Sequence, residues 1–92
     1  MSEIVCPIIH MNGDRAHTLV NALEAAYDAV RLAVDLTLDC APNGRNYYPD
    51  PGRFERAMAQ HVERLTHLNA VLQTLEDEAA AIQRLMDSRR KD

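Results

Sequence analysis

Tryptophan is absent from these 92 residues and phenylalanine occurs once, so the large aromatic anchors of a small monomeric core are almost missing. Much of the 47% hydrophobic content is alanine. A single domain of this length leaves roughly a third or more of its unfolded surface in water after folding. Together these shortages predict that stability depends on helix packing across subunits.

Clustered cations are missing too. With a formal charge of −4 and no long Lys/Arg run, the chain does not match a sequence-independent binder of duplex nucleic acid. The short Arg89-Arg90-Lys91 segment reads as a complement to the negative end of a helix dipole. No apolar run approaches the ~18 residues of a membrane-spanning helix, so no membrane partner is expected. Cys6 and Cys40 lack CxxC spacing and no signal-like segment opens the chain, which points to a reducing cytoplasm.

Catalytic signatures are likewise absent: no nucleophile elbow, phosphate loop, HExxH motif or CxxC pair occurs. The chain therefore reads as non-enzymatic and cofactor-free, with only a site assembled between subunits left as room for catalysis. His10, His17, His61 and His67 include no pair at the i, i+4 spacing of a helical metal site, so no metal is expected.

What is present is helical periodicity. Residues 1–13 read as an extended arm, with β-branched Ile4, Val5, Ile8 and Ile9 interrupted by Pro7 and ended by an Asn12-Gly13 turn. Helix one is expected over 14–41, capped by Asp14 and ended by Pro42. One stripe runs through Leu19, Leu23, Ala26, Tyr27, Val30, Val34 and Thr37. A second, Ala22, Ala25, Ala29, Leu32 and Leu36, lies beside it and predicts a second interface.

A loop over 42–50 leads to helix two over 51–88, with Asp50 as N-cap and Pro51 at the first helical position, and 89–92 form a basic tail end. Phe54, Met58, His61, Leu65, Leu68, Leu72, Leu75, Ala79, Ile82 and Met86 alternate spacings of four and three, a heptad seam flanked by Val62, Val71 and Leu85. Helices of about 27 and about 37 residues span roughly 40 and 55 Å, so the last turns of helix two are expected to overhang. The fold expected is all-α, a long antiparallel helical hairpin with a short extended arm. It would assemble as a dimeric four-helix or larger homo-oligomeric bundle with Leu32, Leu36, His61, Leu65 and Leu72 at the interface.

The turn carries most of the chemistry. In Pro42-Asn43-Gly44-Arg45-Asn46-Tyr47-Tyr48-Pro49 the Asn-Gly pair allows positive φ angles and the prolines stiffen both flanks. Arg45 offers a planar fork for phosphate or carboxylate, and Tyr47 and Tyr48 offer stacking faces and hydroxyls. The start of helix two adds free amides. Asn43, Arg45, Asn46, Tyr47 and Tyr48 are the candidate ligand-binding residues.

The structural alternative is that the tyrosines fold back as a plug while Arg45 caps helix one. His61, polar in the seam, either fixes register or is a buried neutral imidazole. Glu76-Asp77-Glu78 reads as a solvated face, and Arg56, Arg64, Glu55 and Glu63 as an ordinary helical surface.

The segments Ile9-His10-Met11-Asn12-Gly13 and Pro42–Pro49 resemble the HLNG and PNGRDYYP segments of a group of small phage- and prophage-encoded proteins. The chain departs from that pattern at Met11, Asn46 and Asp14. The resemblance implies a phage origin and a helical hairpin and brings no active site. It frames one expectation, an oligomer that sequesters a nucleotide-like anionic signal in a bacterial host as a counter-defence protein. The alternatives are a module that binds or inhibits a host protein, and a structural phage adaptor.

Overall fold

The computed structural model describes residues 3–6 and 13–90. Two α-helices, α1 (Gly13–Leu38) and α2 (Pro51–Arg90), are joined by a segment holding a 3-10 turn at Gly44–Tyr47. They form an antiparallel helical hairpin, with no strand among the described residues.

The helix boundaries differ from the expected ones for local reasons. α1 ends at Leu38 rather than 41, because the N–H groups of Asp39, Cys40 and Ala41 donate to Leu36, Thr37 and Leu38 at 3.1, 2.9 and 3.3 Å. Those bonds reach back three residues, not four, and tighten the chain just before Pro42, whose ring disfavours a helical residue ahead of it. α1 starts at Gly13, one residue before the expected start at 14. α2 runs through Arg90, two residues past the expected end, and takes Arg89 and Arg90 into its last turn. Residues 3–6 belong to no regular element, and the expectations for Pro7, Ile8, Ile9 and Asn12 lie outside the described residues.

The faces of the helices follow the sequence pattern. Every seam position of α2 from Phe54 to Met86 is buried or half-buried, whereas Val62, Val71 and Leu85 are exposed. On α1 the stripe from Leu19 to Thr37 turns inward. Ala22, Ala25 and Ala29 face solvent, and Leu32 and Leu36 are each 58% exposed. A stripe that meets one partner helix is covered, and the second stripe has nothing opposite it among the described residues.

The register between the helices overturns one expectation. Ala16 and Val20, near the start of α1, form the core with Ile82 and Met86, near the end of α2, and Cys6, Leu19 and Leu23 pack against it. Farther along, Tyr27 and Val34 share a hollow with Asn69 and Leu72. The last turns of α2 are therefore sheathed by α1 and the arm, and it is the first turns of α2, up to about Arg64, that extend past Leu38. Residues 39–47 fill that gap as a strap laid along α2. A helix of 40 residues beside one of 26 leaves a difference of about 20 Å at the α-helical rise, and the strap takes it up at the turn.

The hairpin measures 67 × 22 × 15 Å, with a radius of gyration of 19.2 Å against about 12 Å for a globule of this length. Its accessible surface of 7051 Å² exceeds the roughly 5,400 Å² expected for its mass. One layer of side chains between two rods is a thin core. His61 and Leu72 are buried within the chain and Leu65 is half-buried, so these three belong to the intrachain seam and not to a free outer face.

Candidate functional site at the hairpin end

The turn is held by short local bonds. Asn43 is extended and its side-chain oxygen accepts from the Arg45 N–H at 2.9 Å, while its carbonyl accepts from the Asn46 N–H, also at 2.9 Å. This Asx arrangement starts the 3-10 turn without any left-handed residue: Gly44 does not use a positive φ, contrary to the expectation for the Asn-Gly pair, and a Cβ there would meet nothing within 4 Å. The Asp50 N–H then donates to the Tyr47 carbonyl at 2.7 Å.

Asp50 caps α2 as expected. Its carboxylate accepts from the Arg53 N–H at 3.1 Å, its carbonyl accepts from Arg53 and Phe54, and the Arg53 guanidinium sits 3.7 Å from the second carboxylate oxygen. That exposed ion pair adds little in water, whereas the cap satisfies an amide that the helix cannot.

The two tyrosines part company. Tyr47 is half-buried, its ring tilted 53° to Phe54 with centroids 6.0 Å apart, within the contact distance of aromatic pairs. Tyr48 is 86% exposed. One ring thus plugs the end while the other projects, and Arg45 is exposed as well.

Two hollows open on either side of Tyr47. The first, about 280 Å³, lies between the strap and α2 and is lined by Asn43, Asn46, Tyr47, Gln60, His61 and Arg64 together with Cys40, Ala41, Pro42 and Ala57. No carboxylate lines it, in a chain whose net charge is −4. The second, about 600 Å³, is apolar and lined by Gly44, Tyr47, Tyr48, Pro49, Pro51 and Phe54. A guanidinium, an imidazole, three amides and a phenol can hold an anionic or strongly polar group, and the aromatic and proline faces can stack on a flat ring.

The hollows described along the shaft are of a different kind. In the two hollows described between α1 and α2, of about 470 and 420 Å³, the charged lining groups are Glu24, Asp28 and Glu76 in the first and Asp35, Glu76 and Arg31 in the second, so carboxylates outnumber cations in both. Among the described residues no group of three or more His, Cys, Asp or Glu side chains is placed to hold a metal ion.

His61 is the anomaly in this end of the molecule. It is 5% exposed, and its Nδ1 is buried with no hydrogen-bond partner among the described residues. An orphaned buried polar atom costs about 1–3 kcal/mol. Helix periodicity put His61 in the seam; the orphaned nitrogen became visible only in three dimensions.

Of the candidate ligand residues, Asn43, Asn46 and Tyr47 meet in the polar hollow and Tyr47 and Tyr48 in the apolar one, while Arg45 lines neither. The cation of the site is Arg64, read from the sequence as ordinary helical surface. Ala57, Gln60, His61 and Arg64 stand at i, i+3, i+4 and i+7, a single face of α2, and that spacing was the available signal. Without the strap's position it had no partner to point at.

No family model matches the chain, and no curated protein or solved structure is significantly similar to it. No described helix is long and apolar enough to cross a membrane.

Proposed function

We propose that this is a non-enzymatic binding protein that holds a small anionic molecule, such as a nucleotide, at the end of its hairpin and acts as a homo-oligomer. The observation that carries the reading is the pair of hollows sharing Tyr47 as a common wall: one polar, cationic at Arg64 and free of carboxylates, the other aromatic and apolar. A nucleotide has the same division, an anionic end and a flat base. In a phage setting such capture would withdraw a nucleotide signal from the host, a role that rests on the likeness of the Pro42–Pro49 segment alone.

Assembly is the second half of the proposal. Ala22, Ala25, Ala29, Leu32 and Leu36 repeat at alternating spacings of three and four on the outer side of α1, the pattern that packs against another helix. The small alanines allow close approach, and the excess surface of the lone hairpin gives burial something to gain.

The test is calorimetry of the purified chain with AMP, cyclic dinucleotides and ADP-ribose, against adenosine as the uncharged control. Anionic ligands are expected to bind, Tyr47→Ala to abolish binding, and Arg64→Ala to weaken it more than Arg45→Ala does. Failure of every nucleotide to bind at millimolar concentration removes the reading.

A second reading is favoured by the exposure of Leu32 and Leu36, each at 58%. The same outer face would dock a different protein. Its sign is a chain that is monomeric in solution, silent toward nucleotides, and loses a purified partner on Leu32→Glu/Leu36→Glu.

A further inference from the structure

We infer that the polar hollow at the hairpin end is a site for one compact oxyanion, a phosphate or carboxylate group, completed by the buried imidazole of His61. The inference rests on the binding role proposed above and names the chemical group that the hollow selects.

Four observations converge on it. First, the lining contains one guanidinium, from Arg64, and the side-chain amides of Asn43, Asn46 and Gln60, with no carboxylate to repel an anion. The two hollows described along the shaft each carry two or more carboxylates and no histidine.

Second, His61 forms part of the wall while being 5% exposed; its Nδ1 is enclosed and has no hydrogen-bond partner among the described residues, so only the rest of the ring borders the hollow. Phe54, Met58, Leu65 and Leu68, the neighbouring seam positions, are all apolar, and an apolar side chain at position 61 would serve the seam without an orphaned nitrogen. With Nδ1 enclosed, the donor the His61 ring offers an oxyanion in the hollow is its Nε2–H, beside the Arg64 guanidinium.

Third, size admits such a group. At about 280 Å³ and open on one side, the hollow has room for a tetrahedral or planar oxyanion with some hydration. Fourth, the remainder of a larger ligand has a place to go, because Tyr47 separates this hollow from the aromatic one lined by Tyr48, Pro49 and Phe54.

The experiment follows the imidazole nitrogens of the ¹⁵N-labelled full chain by long-range NMR correlation, at one fixed pH above the ordinary imidazole range. Inorganic phosphate, acetate and AMP are titrated in turn, with chloride matched for ionic strength. The expected result is a saturable shift of His61 with phosphate or acetate that His17 and His67 do not share. Arg64→Gln should weaken it by about tenfold or more, the usual effect of losing a charge-assisted hydrogen bond. His61→Leu, which keeps the seam apolar, should lose phosphate binding and stay folded.

Tighter binding of AMP than of phosphate identifies a nucleotide as the source of the oxyanion, and equal affinity identifies the free anion; both support the site. If AMP binds while His61 stays unmoved, the oxyanion assignment falls and the binding role stands. If phosphate shifts all histidines as chloride does, the anion is adventitious only and the assignment falls. If AMP and phosphate both fail to bind, the site and the binding role fall together.

Discussion

Truncating Ile82 to alanine tests whether the thin core really sits where Ala16, Val20, Ile82 and Met86 meet. Ile82 is fully buried, at 0% exposure, and is the largest side chain so enclosed. The change removes three carbons, worth about 0.8 kcal/mol each in transfer, and the cavity left behind adds about 24 cal/mol per Å³ that does not collapse. Met86 is flexible and can move into part of the space, so the expected loss is about 3 kcal/mol, inside the ~2–5 range for such truncations. At ~0.05–0.15 kcal/mol per residue the whole domain holds about 5–14 kcal/mol, and a single-layer hairpin belongs near the lower end.

One substitution therefore takes about half the stability, and the melting temperature falls by roughly 12–24 °C at the ~4–8 °C per kcal/mol typical of a chain this size. The control is Leu85→Ala, three residues along the same helix, which removes as many carbons from a side chain 41% exposed and should cost less than about 1 kcal/mol. Urea unfolding followed by far-ultraviolet circular dichroism, at two protein concentrations, supplies both values. Equal losses for the two variants would refute the placement of the core, and a larger loss for Leu85→Ala, dependent on concentration, would place that residue in a subunit interface.

Asp50→Ala should cost about 1 kcal/mol in the same assay, because the Arg53 amide loses its 3.1 Å acceptor. Gly44→Ala should be neutral or stabilising by up to about 1 kcal/mol, since φ is not positive there and the added Cβ has open space; a clear destabilisation would contradict the 3-10 conformation. Leu32→Glu with Leu36→Glu should leave helicity intact and shift sedimentation at micromolar concentration to a single hairpin, and an unchanged sedimentation coefficient would remove the outer stripe from the interface. Tyr48→Ala, at a position 86% exposed, should change stability by less than about 0.5 kcal/mol and weaken AMP more than inorganic phosphate, as judged by calorimetry.

Most of the shaft was legible in one dimension. Spacings of three and four marked which side of each helix meets the other, and every residue from Phe54 to Met86 on the seam is covered while Ala22, Ala25, Ala29, Leu32 and Leu36 stay outside. Asp50 and Pro51 announced the start of α2 because a cap depends only on residues within one turn of it. The end of α1 was placed three residues late, since Pro42 marks where a helix must stop and not where the turn before it begins to tighten.

The site was half legible for a related reason. Asn43, Asn46, Tyr47 and Tyr48 stood out as an unusual cluster in a loop, but which cation joins them depends on how far α2 slides past α1. That offset is a non-local quantity, set by Ala16 and Val20 closing on Ile82 and Met86 and by the length of strap left to reach Pro51. Periodicity is unchanged when one helix slips by a full repeat along another, so the sequence alone determined two helices and their buried sides. Only the packed structure decided that the unsheathed end of α2 lies at the turn, where it brings Gln60, His61 and Arg64 against the loop.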